Sequence, residues 1–122
     1  MKEEDLTELF IEELEELIED FKILLPKLKR NLEDKEIIKN FSLIFHTIKG
    51  NSGVMGLQNL YQYCFVLESK LKRDNGINDK FFEMLIESVD TLENYLTKIK
   101  YEKLSDLTKL IVNQLEDNIN QL

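Results

Sequence analysis

Tryptophan is absent from this sequence, cysteine, proline and histidine occur once each, and glycine only four times in 122 residues. Each scarcity closes off a class of protein. One cysteine, Cys64, permits no internal disulfide, and one histidine with it leaves too few ligands for a structural zinc site. Nor is there a second histidine to activate Cys64 as a nucleophile, so Cys64 is expected to serve as a small buried apolar residue. So little proline and glycine provides few turns for an all-β fold. No apolar run approaches the roughly 18 residues of a membrane span, and the opening MKEEDLTELF has neither the basic start nor the apolar core of a secretory signal. A cytoplasmic chain without membrane insertion is expected. A phosphate-cradling loop of the form G-x-x-x-x-G-K-S/T is missing too, and with it any evident ATP site.

Basic charge is in deficit, the net charge being −8. The imbalance is local: residues 1–20 hold ten acidic side chains against Lys2, whereas residues 21–122 hold fourteen acidic and fifteen basic ones. An acidic chain without a basic stripe repels nucleic acid and anionic membrane. The acidic run itself reads as the solvated face of a helix.

What remains is helical patterning. Leu6, Leu9, Phe10, Leu14, Leu17, Ile18, Phe21, Leu24, Leu25 and Leu28 recur at spacings of three and four, with glutamates opposite. Pro26 falls inside that pattern and is expected to kink the helix or end it a turn early. Asp34 can cap a second helix whose inward residues are Ile37, Ile38, Phe41, Ile44, Phe45 and Ile48, followed by a tight connection over Gly53 to Gly56. A third helix carries Leu57, Leu60, Tyr61, Cys64, Leu67 and Leu71 and stops at RDNG, with Gly76 as its left-handed cap. Asn78 or Asp79 can cap a fourth, with Phe82, Leu85, Ile86, Val89, Leu92, Leu96 and Ile99 on one face; Ser105 or Asp106 can cap a fifth bearing Leu107, Leu110, Ile111, Leu115 and Ile119. The expected fold is all-α: a single domain over 1–122, an up-and-down antiparallel four-helix bundle with an additional C-terminal helix, over roughly 4–30, 34–53, 57–73, 78–100 and 105–120.

Three of the four glycines, Gly50, Gly53 and Gly56, crowd into the stretch just after His46, although glycine inside a helix costs about 1 kcal/mol relative to alanine. Helical side chains lean toward the N-terminus, so the residue at i+4 normally overhangs residue i; Gly50 leaves the His46 imidazole uncovered. His46 lies beside the apolar stripe with Ser42, Lys49 and Gly50, and Lys49 at i+3 can bring its ammonium near anything attached to the ring. On the third helix Glu68 interrupts the apolar stripe, four residues after Cys64 and three before Leu71. A carboxylate at a helix seam needs a partner to offset its desolvation, and antiparallel packing makes His46 that partner. Such a carboxylate would take the Nδ1 proton and leave a lone pair on Nε2, which becomes the nucleophile. Ser52 is expected to make a hydrogen bond near the helix end.

The segment HTIKGNSGVMG, residues 46–56, resembles the H-x-x-K-G-x-(S/A)-x-x-x-G signature of histidine-containing phosphotransfer (Hpt) domains, with Glu68 at the distance seen in chemotaxis histidine kinases of the CheA type. A chance match at these positions after a given histidine is on the order of 10⁻⁴ to 10⁻⁵ at ordinary residue frequencies. The resemblance runs over all five expected helices, the nearest pattern being the N-terminal phosphoacceptor domain of those kinases. It implies a phosphoryl carrier in two-component signalling. His46 would be phosphorylated by an ATP-dependent histidine kinase catalytic domain, in cis or in trans, and would donate to an aspartate of a response regulator receiver domain. It further implies that Glu68 orients His46, that Lys49 neighbours the phosphoryl group, and that Gly50, Gly53 and Gly56 keep access and the turn. No metal or cofactor is expected on this chain, ATP and Mg²⁺ coming with the partner domains. Leu43 and Lys39, with Lys49, would form an apolar patch rimmed by charge for partner docking. Leu43 stands where the chemotaxis pattern often has a basic residue and Phe65 where it often has a second histidine, so the polar network around His46 is expected to be smaller. Two alternatives stay open on the sequence: a stand-alone phosphorelay protein, and a non-catalytic adaptor bundle in which His46 is incidental.

Overall fold

Apolar residues at helical spacing wind the chain into α1 (Glu3–Arg30), α2 (Lys35–Val54), α3 (Gln58–Arg73) and α4 (Asp79–Asn120). This computed structural model describes the backbone of residues 3–73 and 77–120 and the side chains of residues 5–73 and 77–103. No strand occurs among the described residues.

The helix ends follow from local chemistry. Asp34 Oδ1 accepts from the amides of Glu36 and Ile37 at 3.1 and 3.2 Å, which satisfies two of the donors a helix start leaves free. Of the two candidate caps for the fourth helix, Asn78 takes the role, its Oδ1 accepting from Phe81 N at 2.7 Å. The end of α2 is set by Gly56, whose φ of +72° admits the left-handed turn. Leu57 N donates to Ser52 O at 2.9 Å and Gly56 N to Gly53 O at 3.2 Å, the paired bonds of a Schellman termination. So short a turn returns α3 antiparallel along α2, and these two helices share the largest contact in the fold. The proposed cap at Gly76 lies outside the described residues.

The α1 helix packs against both α2 and α4. Glu8, Glu15 and Lys22 of α1 pair with Lys103, Lys100 and Glu93 of α4, so residue numbers rise along one helix as they fall along the other. At the opposite end of the bundle Ile77 N donates to Leu32 O at 3.3 Å, tying the start of α4 to the link between α1 and α2. The core is continuous. Phe21 meets Phe41 and Phe45 edge-on, with centroids 4.9 and 5.4 Å apart, and all three rings are fully buried. Each such side chain contributes about 2–3 kcal/mol by leaving water.

Three expectations are corrected. The fifth helix does not exist as a separate element: α4 runs unbroken from Asp79 to Asn120. The junction Tyr101-Glu-Lys-Leu104 holds neither glycine nor proline, and Ser105 and Asp106 cap only where amides are left free, which a continuing helix does not do. Secondly, of the two outcomes expected at Pro26 the early end is ruled out, since α1 continues through it to Arg30, the expected bound. Pro26 and Lys22 are both exposed, so water can satisfy the Lys22 carbonyl that the proline cannot reach. Thirdly, the buried face of α4 is Phe81, Leu85, Ser88 and Leu92, while Phe82 and Val89 are half-buried and Ile86 is exposed. Ser88 reads as polar in the sequence, yet its hydroxyl is satisfied internally by donating to Leu85 O at 2.6 Å.

Candidate functional site

The seam between α2 and α3 carries the one histidine. Phe41, Ile44, Phe45 and Ile48 turn the apolar face of α2 into the core, which leaves His46 on the flank with its side chain 61% exposed. A Cβ built on Gly50, one turn later, would meet nothing within 4 Å. The space above the ring is therefore open, as the missing side chain at i+4 requires.

Glu68 reaches His46 from α3. Its side chain is only 4% exposed, and Oε1 lies 3.0 Å from His46 Nδ1. The same oxygen is 2.9 Å from Lys72 Nζ, and Oε2 is 2.8 Å from Lys49 Nζ, an ion pair rather than a well-angled hydrogen bond. Burial on its own would push the Glu68 carboxyl up, but Lys49, Lys72 and His46 together outweigh it and hold the group at about 2. Glu68 is thus a carboxylate throughout the physiological range. An ionised carboxylate only accepts, so its contact with His46 requires the proton on Nδ1 and leaves the lone pair on Nε2, the nitrogen turned away from Glu68.

Lys49, expected near anything attached to the ring, sits on Glu68, the carboxylate that holds the ring. Its ammonium lies 2.8 Å from Oε2 and 5.6 Å from the centre of the Phe65 ring, and the pairing with Glu68 raises its pKa. Phe65, 46% exposed, stacks with Tyr61 at 6.4 Å and offers the lysine a π face in place of a polar partner. Lys72 was not singled out by the sequence. Its signal is the Glu68-x-x-x-Lys72 spacing, the favourable order for a helical ion pair, but such pairs are common on helix surfaces and carry no mark of a site.

The other sequence candidates fall around this centre. Leu43 is 54% exposed on α2, and Lys39 is exposed one turn further back. Gly53 faces the Tyr61 ring, which a Cβ would touch at 3.5 Å. Ser52 is fully buried and donates to Ile48 O at 2.6 Å, a bond to its own helix. Cys64 is buried in the core, where desolvation and then Glu68 push its thiol up to about 12, so it is no nucleophile. Among the described residues no group of three metal-ligating side chains forms, and no helix is long and apolar enough to cross a membrane.

Known proteins are similar to this chain in sequence and in fold. The sensor histidine kinase CheAY of Helicobacter pylori is 26% identical over 127 aligned residues, which cover 92% of this chain and 16% of that protein. The chemotaxis protein CheA of Rhizobium meliloti is 29% identical over 92 residues, covering 72% of this chain and 12% of that protein. The chain thus spans less than a fifth of the length of these curated relatives. Among solved structures, the CheA phosphotransferase domain from Thermotoga maritima superposes with a TM-score of 0.75 at 25% identity, over 81% of this chain and 98% of that one. The Hpt domain family matches from residue 5 to residue 122, the whole bundle with the His46–Glu68 seam inside it, and the chain belongs to that family.

Proposed function

We propose that this chain is a phosphoryl carrier in two-component signalling, with His46 accepting a phosphoryl group at Nε2 from an ATP-dependent histidine kinase catalytic domain and giving it to an aspartate of a response regulator receiver domain. The observation that carries the reading is the contrast within one side chain: Nδ1 is fixed 3.0 Å from a buried carboxylate while the ring is 61% exposed. In the forward step the Nε2 lone pair attacks phosphorus, an N–P bond forms, and the P–O bond to the leaving nucleotide breaks. No proton has to leave the histidine. The ring becomes a phosphoimidazolium that keeps its Nδ1 proton, and Glu68 neutralises the positive charge as it develops.

The same charge makes the ring a good leaving group toward an aspartate, so the carrier works in both directions. ATP and Mg²⁺ belong to the partner domains, and the kinase domain can lie in the same polypeptide or in another. We place the reaction in the cytoplasm, where ATP is found. Leu43, Lys39 and the open notch over Gly50 provide the surface on which an acidic receiver pocket can settle briefly.

The test is to incubate the chain with a histidine kinase catalytic domain and γ-labelled ATP. Label stable in base, labile in acid and missing from His46→Gln is the expected outcome. Label that persists in His46→Gln, or a wild-type chain that takes none from any of several chemotaxis-type kinase domains, sinks the proposal and leaves the adaptor bundle as the better reading.

A further inference from the structure

The two ends of the outward ridge of α2 differ in what surrounds them. His46, Gly50 and Val54 stand four residues apart in turn, so they form one ridge along the helix. At 1.5 Å per residue Val54 lies about 12 Å beyond His46, and a Cβ on Gly50 between them would meet nothing. Val54 is 80% exposed although apolar, and across the groove on α1 stand Leu9, 49% exposed, and Leu6. With Asn51 and Met55 they line a shallow cavity of about 100 Å³, room for one aliphatic side chain. Apolar surface gathered around a cavity marks a place where another protein is received.

The rim of this cavity is acidic. Glu13 lines it, and Glu12 and Glu16, exposed, follow Leu9 and Glu13 by three residues on the same helix. None of the three forms an ion pair among the described residues, whereas Glu8, Glu15 and Glu19, toward α4, are taken up by Lys103, Lys100 and Lys22. No basic residue occurs anywhere from Glu3 to Phe21. At the other end of the ridge, Leu43 has the exposed Lys39 four residues before it.

We propose that the acidic end of the ridge, Val54 with Leu9 and Leu6, is the docking surface for the phosphoryl donor, a nucleotide-loaded kinase catalytic domain, and that the receiver is confined to the end at Leu43 and Lys39. The inference rests on the reading of His46 as phosphoryl acceptor. A domain that holds the triphosphate of ATP surrounds it with lysine, arginine and Mg²⁺, so the mouth of its site is cationic. A receiver that holds Mg²⁺ through carboxylates around its own aspartate presents an anionic pocket. The unpaired glutamates beside Leu9 attract the first and repel the second. A donor seated over His46 and leaning toward the end of α2 places an apolar side chain in the cavity while its cationic rim faces α1. Charge thus sorts two partners that need the same imidazole onto opposite sides of it.

The test is binding of the chain to a kinase catalytic domain loaded with a non-hydrolysable ATP analogue and, separately, to a receiver domain with Mg²⁺, each followed by fluorescence titration. Leu9→Ala with Val54→Ala should weaken kinase binding about 5- to 20-fold and leave receiver binding within twofold of wild type. Glu12→Gln with Glu16→Gln should weaken kinase binding about 2- to 5-fold at low ionic strength, a loss that disappears at about 0.5 M salt, and should not weaken receiver binding at all. All four residues are exposed, so both double variants keep the fold. Kinase binding within twofold of wild type in the apolar pair, a charge-pair loss that ignores salt, or an equal loss toward the receiver overturns the proposal, as does a wild-type chain that binds no kinase domain. No phosphoryl group moves in these titrations, so they can fail while His46 labelling succeeds, and they can succeed while labelling fails.

Discussion

Replacing Glu68 by glutamine removes one charge from the centre of the site at almost constant volume, and its effect follows from the geometry. The carboxylate does two things for His46: it selects the Nδ1-protonated tautomer and it offsets the positive charge that appears on the ring during transfer. A hydrogen bond to an ionised group contributes about 1.5–3 kcal/mol and a neutral one about 0.5–1.5. With His46 61% exposed, the loss on going to glutamine lies at the low end, about 1 kcal/mol. A unit charge about 4 Å away in a watery environment adds roughly 1 kcal/mol more to the developing phosphoimidazolium. Together these slow phosphoryl acceptance about 10- to 100-fold. The loss should fall on kcat and leave KM alone, because Glu68 is only 4% exposed and cannot touch a docked partner. Single-turnover labelling by an excess of kinase catalytic domain measures it. A rate within twofold of wild type, in a variant shown to be folded, would remove Glu68 from the mechanism.

Other consequences are structural. Gly50→Ala should stabilise the chain by about 0.5–1 kcal/mol, since its Cβ enters open space in a helix, whereas Gly56→Ala should cost about 1–2 kcal/mol, because Gly56 holds a φ of +72°; urea denaturation compares them. Equal effects of the two would contradict the assigned termination of α2. Glu68, held at about 2 against an ordinary 4.5, contributes stability that is fully present above pH 4.5 and lost as the pH falls toward 2. The stability gap between wild type and Glu68→Gln should therefore shrink over that window, by no more than about 3 kcal/mol, and a gap independent of pH would show that the carboxylate is not held by its cations.

Most of the site was legible because two signals are local. Gly50 weakens a helix where nothing packs against it, and Glu68 interrupts an apolar stripe; both need only helical periodicity to be noticed. The chain turn at Gly56 then forces α3 back along α2 and brings the two residues together. What the residues did not reveal was how the cations are shared. The i+3 spacing brings Lys49 near anything attached to the ring, but it does not show that Lys49 also pairs with the buried Glu68 carboxylate. Lys72 looked like one more surface lysine in an i, i+4 pair.

The fold was legible to a similar depth. Four apolar stripes marked the four helices, and Asp34 and Asn78 marked two of their starts. The break expected before Ser105 failed because a capping residue permits a helix start without enforcing one. Phe81 and Phe82 could not be ranked from the stripe alone: adjacent aromatic residues both border the buried face, and packing in the core takes Phe81 inside and leaves Phe82 half-buried.

The nitrogen that bears phosphorus is the most direct test, since the carboxylate contact at Nδ1 permits only the far side of the ring to react. Phosphorus–proton and phosphorus–nitrogen couplings on the phosphorylated, ¹⁵N-labelled chain identify the site. Phosphorus on Nε2 of His46, with a proton retained on Nδ1, is the expected result. Phosphorus on Nδ1, or on any residue other than His46, would contradict it.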